Sequence, residues 1–240
     1  MTIHAVTLLS RDDVAAGTMA FHFSKPPGFM YKPGQAIDVL IGKPEAALND
    51  DNRHTFSLVG APGERDLTVA TRMRDSAFKR ALKALAPGAP LRIEGPSGSL
   101  LLHRDSARAA VMIAGGIGIT PFVSMLRNAA AERTPRPLTL VYSNRAPKDA
   151  AFFDELALLE GSLPGFRLVS TMTEASGSVP PWAGETRLVG VALLRSATEG
   201  LAAPVFYIAG PPAMVEAVRA MLADMDISDD DIRSEDFYGY

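Results

Sequence analysis

The sequence contains no cysteine among its 240 residues. The chain can therefore form no disulfide bond, use no thiolate nucleophile and hold no iron–sulfur cluster through cysteines of its own. Its four histidines, His4, His22, His54 and His103, are scattered and lack the close spacing of metal ligands. We therefore predict no metal site and assign the histidines to surface or packing roles.

An excess of one charge is also missing. Lysine and arginine number 24 against 27 aspartate and glutamate, a formal net charge of −3, so neither nucleic acid nor an anionic membrane is expected to attract the chain as a whole. The N-terminus lacks the basic region and long apolar core of a signal peptide, which predicts a cytoplasmic protein without membrane insertion. A composition of 47% hydrophobic and 21% charged residues is typical of a globular protein with a full core.

Residues 1–103 read as short β-rich segments separated by Pro/Gly turns such as Pro33-Gly34 and Pro87-Gly88. The expected strands are His4 to Leu9, Met19 to Phe23, Ala36 to Ile41, Thr55 to Val59, Leu67 to Thr71 and Leu91 to Glu94. Evenly spaced short strands of this kind predict an antiparallel β-barrel domain.

Residues 104–240 have a different pattern, because apolar segments typical of buried strands alternate with helical segments. The strands are expected at Val111 to Ala114, Leu138 to Tyr142, Arg167 to Met172 and Val205 to Ala209, and the helices at Pro121 to Glu132, Ala150 to Leu159 and Ala213 to Leu222. This alternation predicts a doubly wound α/β domain with a parallel sheet. The chain is thus expected to have two domains, with the boundary near His103 to Ala107.

The segment from Ala109 to Leu126 carries the strongest local signal. An uncharged, partly β-branched run ends in Gly115, Gly116 and Gly118, and Thr120-Pro121 then predicts a helix N-cap and first helical residue. A strand, a glycine turn and a helix N-terminus together form a phosphate site. The alternatives are a transmembrane helix and a ligand-free connection, and the third glycine of the G-x-G-x-x-G fingerprint is absent.

The barrel half contains a second candidate anion site. Residues 53–57 (Arg-His-Thr-Phe-Ser) place an aromatic and a hydroxyl side chain on opposite faces of an expected strand. Downstream, Ser76 is a plausible N-cap for a helix, and Arg72 and Arg74 flank that helix start. The alternative is a solvated basic helix face.

Six segments of the chain resemble motifs of the ferredoxin–NADP reductase superfamily. Residues 54–57 resemble the R-x-[YF]-[ST] flavin motif, and residues 32–35 resemble a turn before the cofactor. Residues 74–77, together with Met73 before them, resemble a G-x-x-S helix start. The G-G-x-G-[IV]-T-P motif matches residues 115–121, C-G-P-P-x-M resembles residues 209–214, and a closing E-x-[FY] matches residues 235–237. The resemblance covers nearly the whole chain.

The resemblance implies an FAD barrel followed by a pyridine-nucleotide domain, with hydride passing from nicotinamide to flavin. It implies catalytic roles for Ser57 near the flavin N5, Glu235 beside the hydride path, and Phe237 as an aromatic lid, although Phe237 alone could be a core residue of a final strand. The residues that it implies bind cofactors are Arg53, His54, Thr55, Phe56, Ser57, Arg72, Met73, Arg74, Ser76, Ala77, Gly115, Gly116, Gly118, Ile119, Thr120, Pro121, Gly210, Pro211, Pro212 and Phe237.

Three positions depart from the family pattern. The motif arginine falls on His54, so either a one-residue bulge returns Arg53 to the flavin diphosphate, or Arg72 and Arg74 supply the charge. Met73 replaces the glycine of G-x-x-S, and Ala209 replaces the cysteine beside the nicotinamide. FAD is expected rather than FMN because the Ser76 helix start and its arginines suit a diphosphate.

The second expected strand of the α/β domain is followed by Ser143-Asn144-Arg145. An NAD site commonly has an acid near this place for the ribose hydroxyls, whereas a basic residue suits a 2′-phosphate. In the family a serine and an arginine here hold that phosphate, so the three residues are expected to bind NADPH in preference to NADH. The alternative is a turn with a solvated arginine.

The electron acceptor must be a separate molecule if it takes single electrons, since the chain has no cysteines for a cluster. Residues 71–85 hold five basic side chains against Asp75 alone, which predicts docking of an acidic ferredoxin or flavodoxin. The acidic run from Asp224 to Asp236 is assigned to a solvated loop. The alternatives are reduction of free flavin, a quinone or an oxygenase partner, and a non-catalytic flavin- or nucleotide-binding regulator.

Overall fold

The computed structural model describes residues 2–42, 49 and 52–238, and these form two β-sheets in succession along the chain. The first sheet has the strands β1 (Thr2–Ala15), β2 (Thr18–Ser24), β3 (Ala36–Leu40), β4 (Arg53–Ser57), β5 (Asp66–Arg72) and β6 (Pro90–Ser97). Helix α1 (Ala77–Ala84) lies between β5 and β6.

The first sheet is an antiparallel barrel with the strand order β4-β3-β6-β1-β2-β5. Its two outer strands meet where Leu58 bridges Val69 and the Val59 N–H donates to the Thr68 carbonyl at 2.8 Å. Alternating side chains of the strands fill the interior, and α1 adds Phe78 to this core. The predicted barrel is confirmed.

The second sheet is parallel, with the order β11-β10-β7-β8-β9. Its strands are β7 (Ala110–Gly115), β8 (Leu138–Asn144), β9 (Phe166–Met172), β10 (Val205–Gly210) and β11 (Ile232–Asp236), and its helices are α2 (Thr120–Glu132), α3 (Phe153–Ser162), α4 (Val191–Ala197) and α5 (Pro212–Asp224). β7 and β10 are buried along their whole length, as strands covered on both faces are. The predicted doubly wound α/β fold is confirmed.

The strand order reverses between β7 and β10. From β7 the chain moves outward through β8 and β9, and it then returns to the other side of β7 with β10 and β11. In open α/β sheets such a reversal leaves a crevice at the carboxyl ends of the two strands, and ligands bind there. Gly115 and Gly210 end these two strands.

The start of α2 differs from the prediction. A 3-10 turn at Gly116–Ile119 precedes the helix, and the Thr120 hydroxyl donates to the Ile117 carbonyl at 3.1 Å instead of capping the helix. Thr120 is therefore not an N-cap. The helical segment begins directly after β7, which brings its N-terminus closer to the crevice.

The two sheets share part of one hydrophobic core. Val59 and Ala70 of the barrel half belong to the same buried cluster as Ile117 and Met125. The proposed domain boundary at residues 103/104 lies in the connection between β6 and β7. None of the helices in the described part of the chain has the length and apolar character needed to cross a bilayer.

Candidate active site

Two adjoining cavities lie where the barrel meets the parallel sheet. The first has a volume of about 340 Å³, and its walls are His54, Thr55, Phe56, Ser57, Ala70, Thr71, Arg72, Lys79, Ile117, Thr120, Glu235, Asp236, Phe237 and Tyr238. The second has a volume of about 610 Å³, and its walls are Arg72, Arg74, Gly115, Gly116, Ser143, Asn144, Arg145, Thr173, Leu188, Val189, Pro211, Met214, Ala217, Val218 and Met221. Arg72 lines both.

The second cavity occupies the crevice at the strand reversal. Gly115 and Gly116 supply one wall and Pro211 another, and the N-terminus of the helical segment at Gly116 faces the same region. Backbone N–H groups at such a helix start attract an anion. The carboxyl end of β8 supplies Ser143 and Asn144 beside them.

Each of the three motif glycines is required by a different structural constraint. Gly116 adopts a φ of +53°, which allows the tight turn out of β7. A Cβ at Gly118 would lie 2.3 Å from the Ala209 carbonyl oxygen, and a Cβ at Gly115 would lie 2.3 Å from the Met214 sulfur. Gly118 is therefore required for packing against β10, while Gly115 and Gly116 also face the cavity.

Asn144 has an unusual environment in this second cavity. The residue is 5% exposed, and neither its amide nitrogen nor its amide oxygen has a hydrogen-bond partner among the described residues. A buried unpaired polar group costs about 1–3 kcal/mol, so native structures seldom keep one without a reason. An amide of this kind beside the cavity is suited to hydrogen-bond a polar ligand.

Arg145 reaches the same cavity with a largely exposed side chain. Its nearest acidic partner is Glu174, whose carboxylate lies 3.8 Å from the Arg145 Nε. Both side chains are about 70% exposed, so this pair contributes little and leaves the guanidinium available. The structure thus brings Ser143, Asn144 and Arg145 together with Gly115 and Gly116, as the sequence predicted.

Four successive residues of β4, His54 to Ser57, line the first cavity. Their side chains point alternately to the two faces of the sheet. Because β4 lies at one end of the strand order, the cavity borders side chains from both faces. Phe56 is 8% exposed and its ring lies 5.8 Å from that of Phe78, while the His54 ring meets Phe78 edge-on at 5.2 Å. This end of the cavity therefore has an aromatic wall.

Arg53 does not line either cavity. Its Nε donates to Asp38 Oδ2 at 2.8 Å, and its Nη2 lies 3.1 Å from Glu94 Oε2. β4 pairs with β3 in unbroken register from Arg53 to Ser57, so no bulge is present to shift it. Of the two alternatives left by the sequence, the bulge that would return Arg53 to the cavity is wrong.

Of the other residues predicted to bind the flavin between positions 72 and 77, some line a cavity and others do not. Arg72 lines both cavities, whereas Arg74 lines only the second. Ser76 caps α1 by accepting a hydrogen bond from the Lys79 N–H at 3.2 Å, which confirms the predicted N-cap. Neither Met73, Ser76 nor Ala77 is among the lining residues.

Further predicted residues support the cavities without lining them. These are Gly118, Ile119, Pro121, Gly210 and Pro212, whereas Thr120 lines the first cavity and Pro211 the second. Gly210 approaches β7 so closely that a Cβ there would lie 3.1 Å from the Gly115 nitrogen. These residues hold the crevice in shape.

Lys79 lines the first cavity and was not among the predicted site residues. It is 8% exposed, and burial together with the nearby Arg74 lowers its pKa from the usual 10.5. Sequence reasoning counted it as a surface charge. The sequence does offer one signal for an inward-facing Lys79. The residue lies in the first helical turn, three positions after the N-cap Ser76 and directly after the apolar Phe78.

Glu235 and Phe237 come from the end of β11 and the residue that follows it. Burial raises the pKa of the Glu235 carboxyl. The Phe237 N–H donates to the Gly210 carbonyl at 2.9 Å, which ties this segment to the end of β10. Both side chains line the first cavity together with Ser57, so the structure gathers the three predicted catalytic residues at one place.

The basic side chains of residues 71–85, which the sequence predicts to dock an acidic carrier, lie in different surroundings. Arg72, Arg74 and Lys79 line the cavities, and Arg80 pairs with Asp75. The folding of β5 and α1 therefore distributes over several sites the charges that lie together in sequence. Among the described residues, no group of three histidine or acidic side chains is arranged to hold a metal ion.

Comparison with known proteins gives a consistent result. Residues 112–220 match the oxidoreductase NAD-binding domain family. The chain is 29% identical over 192 residues to reductase component 2 of terephthalate 1,2-dioxygenase from Comamonas sp., covering 79% of this chain and 56% of the relative. It is also 29% identical over 203 residues to the propane 2-monooxygenase reductase component of Mycolicibacterium smegmatis, covering 82% and 56%.

The fold matches that of a ferredoxin–NADP⁺ reductase from Neisseria gonorrhoeae solved with bound FAD and NADP. The TM-score is 0.82 at 23% identity, and the match covers 98% of both chains. The chain spans only a little over half the length of the two curated relatives. Residues 112–220 therefore belong to the oxidoreductase NAD-binding domain family, and the two-sheet architecture of the chain is the fold of ferredoxin–NADP reductase-like oxidoreductases.

Proposed function

We propose that the protein binds FAD in the first cavity and NADPH in the second, and that it passes electrons to a separate one-electron carrier. The observation that supports this best is the junction of the two cavities. Arg72 lines both, and Gly116 of the second is followed in the chain by Ile117 of the first. Two ligands in these cavities would meet there.

The first cavity suits a flavin in shape and chemistry. Phe56 offers an aromatic ring, and Ser57 and the buried Lys79 also line the wall. When bound, a flavin accepts a hydride from a reduced nicotinamide and can release electrons singly, which joins a two-electron donor to a one-electron acceptor. We assign Ser57, Glu235 and Phe237 to the region where that transfer takes place.

Each of these three residues has a distinct role in the proposal. Ser57 offers a hydroxyl within the cavity, 5% exposed, that can hydrogen-bond a reacting ring. Burial raises the pKa of the Glu235 carboxyl, so this group keeps its proton to a higher pH than a solvated glutamate does. Phe237 covers the cavity with an aromatic ring and must move before a nicotinamide can lie there.

The second cavity suits a pyridine nucleotide with a 2′-phosphate. Gly115, Gly116 and the adjacent helix start offer backbone N–H groups to a diphosphate. The unpaired amide of Asn144 and the weakly paired guanidinium of Arg145 supply hydrogen-bond donors at the end of β8. The segment from Ser143 to Arg145 contains no acid to repel the phosphate, so NADPH is favoured over NADH.

The carrier is proposed to be a ferredoxin or flavodoxin. The two curated relatives named above are reductase components of a dioxygenase and a monooxygenase, which favours a second candidate, an oxygenase component that takes the electrons. Steady-state reduction of a panel of ferredoxins, flavodoxins, quinones, free flavins and oxygenase components by NADPH would distinguish these acceptors. A carrier-specific reductase would reduce one protein carrier much faster than it reduces free flavin.

The cofactor assignment can be tested by releasing the flavin from purified protein and separating it by chromatography. We expect one FAD per chain and no iron. FMN in place of FAD would show that the region from Thr71 to Lys83 does not hold a diphosphate. Absence of any flavin, together with failure to bind added FAD, would contradict the proposed function.

A further inference from the structure

Lys79 is fixed in the wall of the first cavity by the first turn of α1. Its backbone N–H donates to the Ser76 hydroxyl, and the next residue toward the N-terminus, Phe78, is fully buried in the barrel core. The side chain of Lys79 is itself 8% exposed. The position of its ammonium group is therefore set by the packing of the helix and not by a flexible surface loop.

This ammonium group has no anionic partner in the described part of the chain. No ion pair or side-chain hydrogen bond involves it, and the charged group that acts on its pKa is another cation, Arg74. A buried charge without a partner is costly, and proteins normally pair or neutralise one. The environment of Lys79 therefore suits an anion that the described residues do not supply.

The nearby carboxylates do not fill this role. Asp38 is held by Arg53, and Asp75 is held by Arg80. Glu235 and Asp236 line the same cavity but form no ion pair with Lys79. None of the carboxylates in the described part of the chain therefore partners Lys79.

We propose that Lys79 binds the phosphate groups of the flavin, in place of the arginine that the family pattern sets two residues before the aromatic. This proposal rests on the proposed function. His54 occupies the arginine position, and its ring packs against Phe56 and Phe78 as part of the aromatic wall. Arg53 is committed to Asp38 and Glu94. Of the two cations among the described residues that line the first cavity, Lys79 is buried and Arg72 is only half-buried.

Lys79 differs chemically from the arginine that it replaces. An ammonium is a compact point charge, whereas a guanidinium binds phosphate through a bidentate fork. The chain is therefore expected to discriminate between phosphorylated and unphosphorylated flavins mainly through charge. Its affinity for FAD should fall with rising salt concentration, while its affinity for riboflavin should not.

The test is a titration of the flavin-free full-length chain with FAD, FMN and riboflavin, followed by quenching of flavin fluorescence. Lys79→Met removes the charge at nearly constant volume, and Lys79→Arg keeps it. Lys83→Met is the matched control, because Lys83 lies one turn further along α1 and is exposed. The thermal unfolding midpoint of each flavin-free variant shows whether it folds.

We expect Lys79→Met to raise the dissociation constants of FAD and FMN about tenfold or more, as loss of a charge-assisted contact does, and to leave riboflavin unchanged. Lys79→Arg should restore most of the affinity, and Lys83→Met should change none of the three. Equal losses for all three flavins, or unchanged FAD binding, would overturn the role of Lys79 while leaving the proposed function intact. A wild-type chain that binds no flavin would overturn both.

Discussion

Arg53 and Asp38 form an ion pair across the neighbouring strands β4 and β3, with Nε and Oδ2 2.8 Å apart. The same arginine also lies near Glu94 of β6, so three strands of the barrel meet at one guanidinium. Arg53 is thus held by two carboxylates of the barrel, and its neighbour His54 lines the first cavity instead. Arg53 precedes Phe56 by three residues instead of the two of the family motif, and at this position it stabilises the barrel.

Arg53 is expected to stabilise the barrel without contributing to flavin affinity. Arg53→Met would leave Asp38, which is 7% exposed, without its cation, and such a loss costs about 1–3 kcal/mol. Urea unfolding of the flavin-free chain should show this loss, while the dissociation constant of FAD stays within about twofold. A large loss of FAD affinity with unchanged stability would make Arg53 a flavin ligand.

Arg145 is expected to set the preference for NADPH. Arg145→Ala should raise the KM for NADPH by on the order of tenfold to a hundredfold, the value of a charge-assisted contact, and leave that for NADH almost unchanged. Glu174→Gln is the control, because it frees Arg145 from its 3.8 Å contact and should preserve or improve NADPH use. Equal losses for both nucleotides after Arg145→Ala would remove the 2′-phosphate assignment.

Phe237 is expected to compete with nicotinamide for the first cavity. In Phe237→Ala the backbone hydrogen bond to Gly210 can remain, so only the ring is lost. We expect NADP⁺ to bind the reduced protein more tightly, with a stronger charge-transfer absorbance, and turnover to fall because product release becomes slow. An unchanged absorbance band would identify Phe237 as a packing residue.

His103 is expected to make the fold sensitive to acid. Burial and the nearby Arg136, Arg108 and Arg233 lower its pKa below the usual 6.5, and its Nδ1 lies 2.7 Å from the Tyr207 hydroxyl. As the pH falls below 6.5, the unfolded chain takes up a proton that the native chain resists, so stability decreases until the native pKa is reached.

The variant His103→Gln lacks this titration. The loss in free energy of unfolding between about pH 7.5 and about pH 5.5, measured with urea, should therefore be larger for wild type than for His103→Gln. Equal losses would show that the acid sensitivity originates elsewhere.

The fold followed from sequence because its signals are local. The alternation in the barrel and the long apolar strands around Val111 and Phe206 depend on which faces are buried. β11 and α4 were missed as elements, since a strand with the pattern of Ile232 to Asp236 carries no apolar run and a helix as short as α4 has little periodicity.

The sequence predicts only part of the candidate site. Motif residues at strand ends, such as Gly115 and Ser143, meet because parallel strands end at one edge of the sheet. Charges near in sequence do not share this constraint. Arg53, Arg74 and Lys79 face three different surroundings, which depend on strand register and on the docking of α1, and neither is visible in one sequence.

We propose that the two cavities hold a flavin and a reduced nicotinamide close enough to react. Mixing the FAD-loaded protein with NADPH in a stopped-flow instrument without oxygen, and following flavin absorbance, tests this proposal. We predict rapid and complete bleaching that is faster with NADPH than with NADH at low concentration. Bound FAD that stays oxidised after NADPH has bound would contradict the account and identify a binding module instead of a reductase.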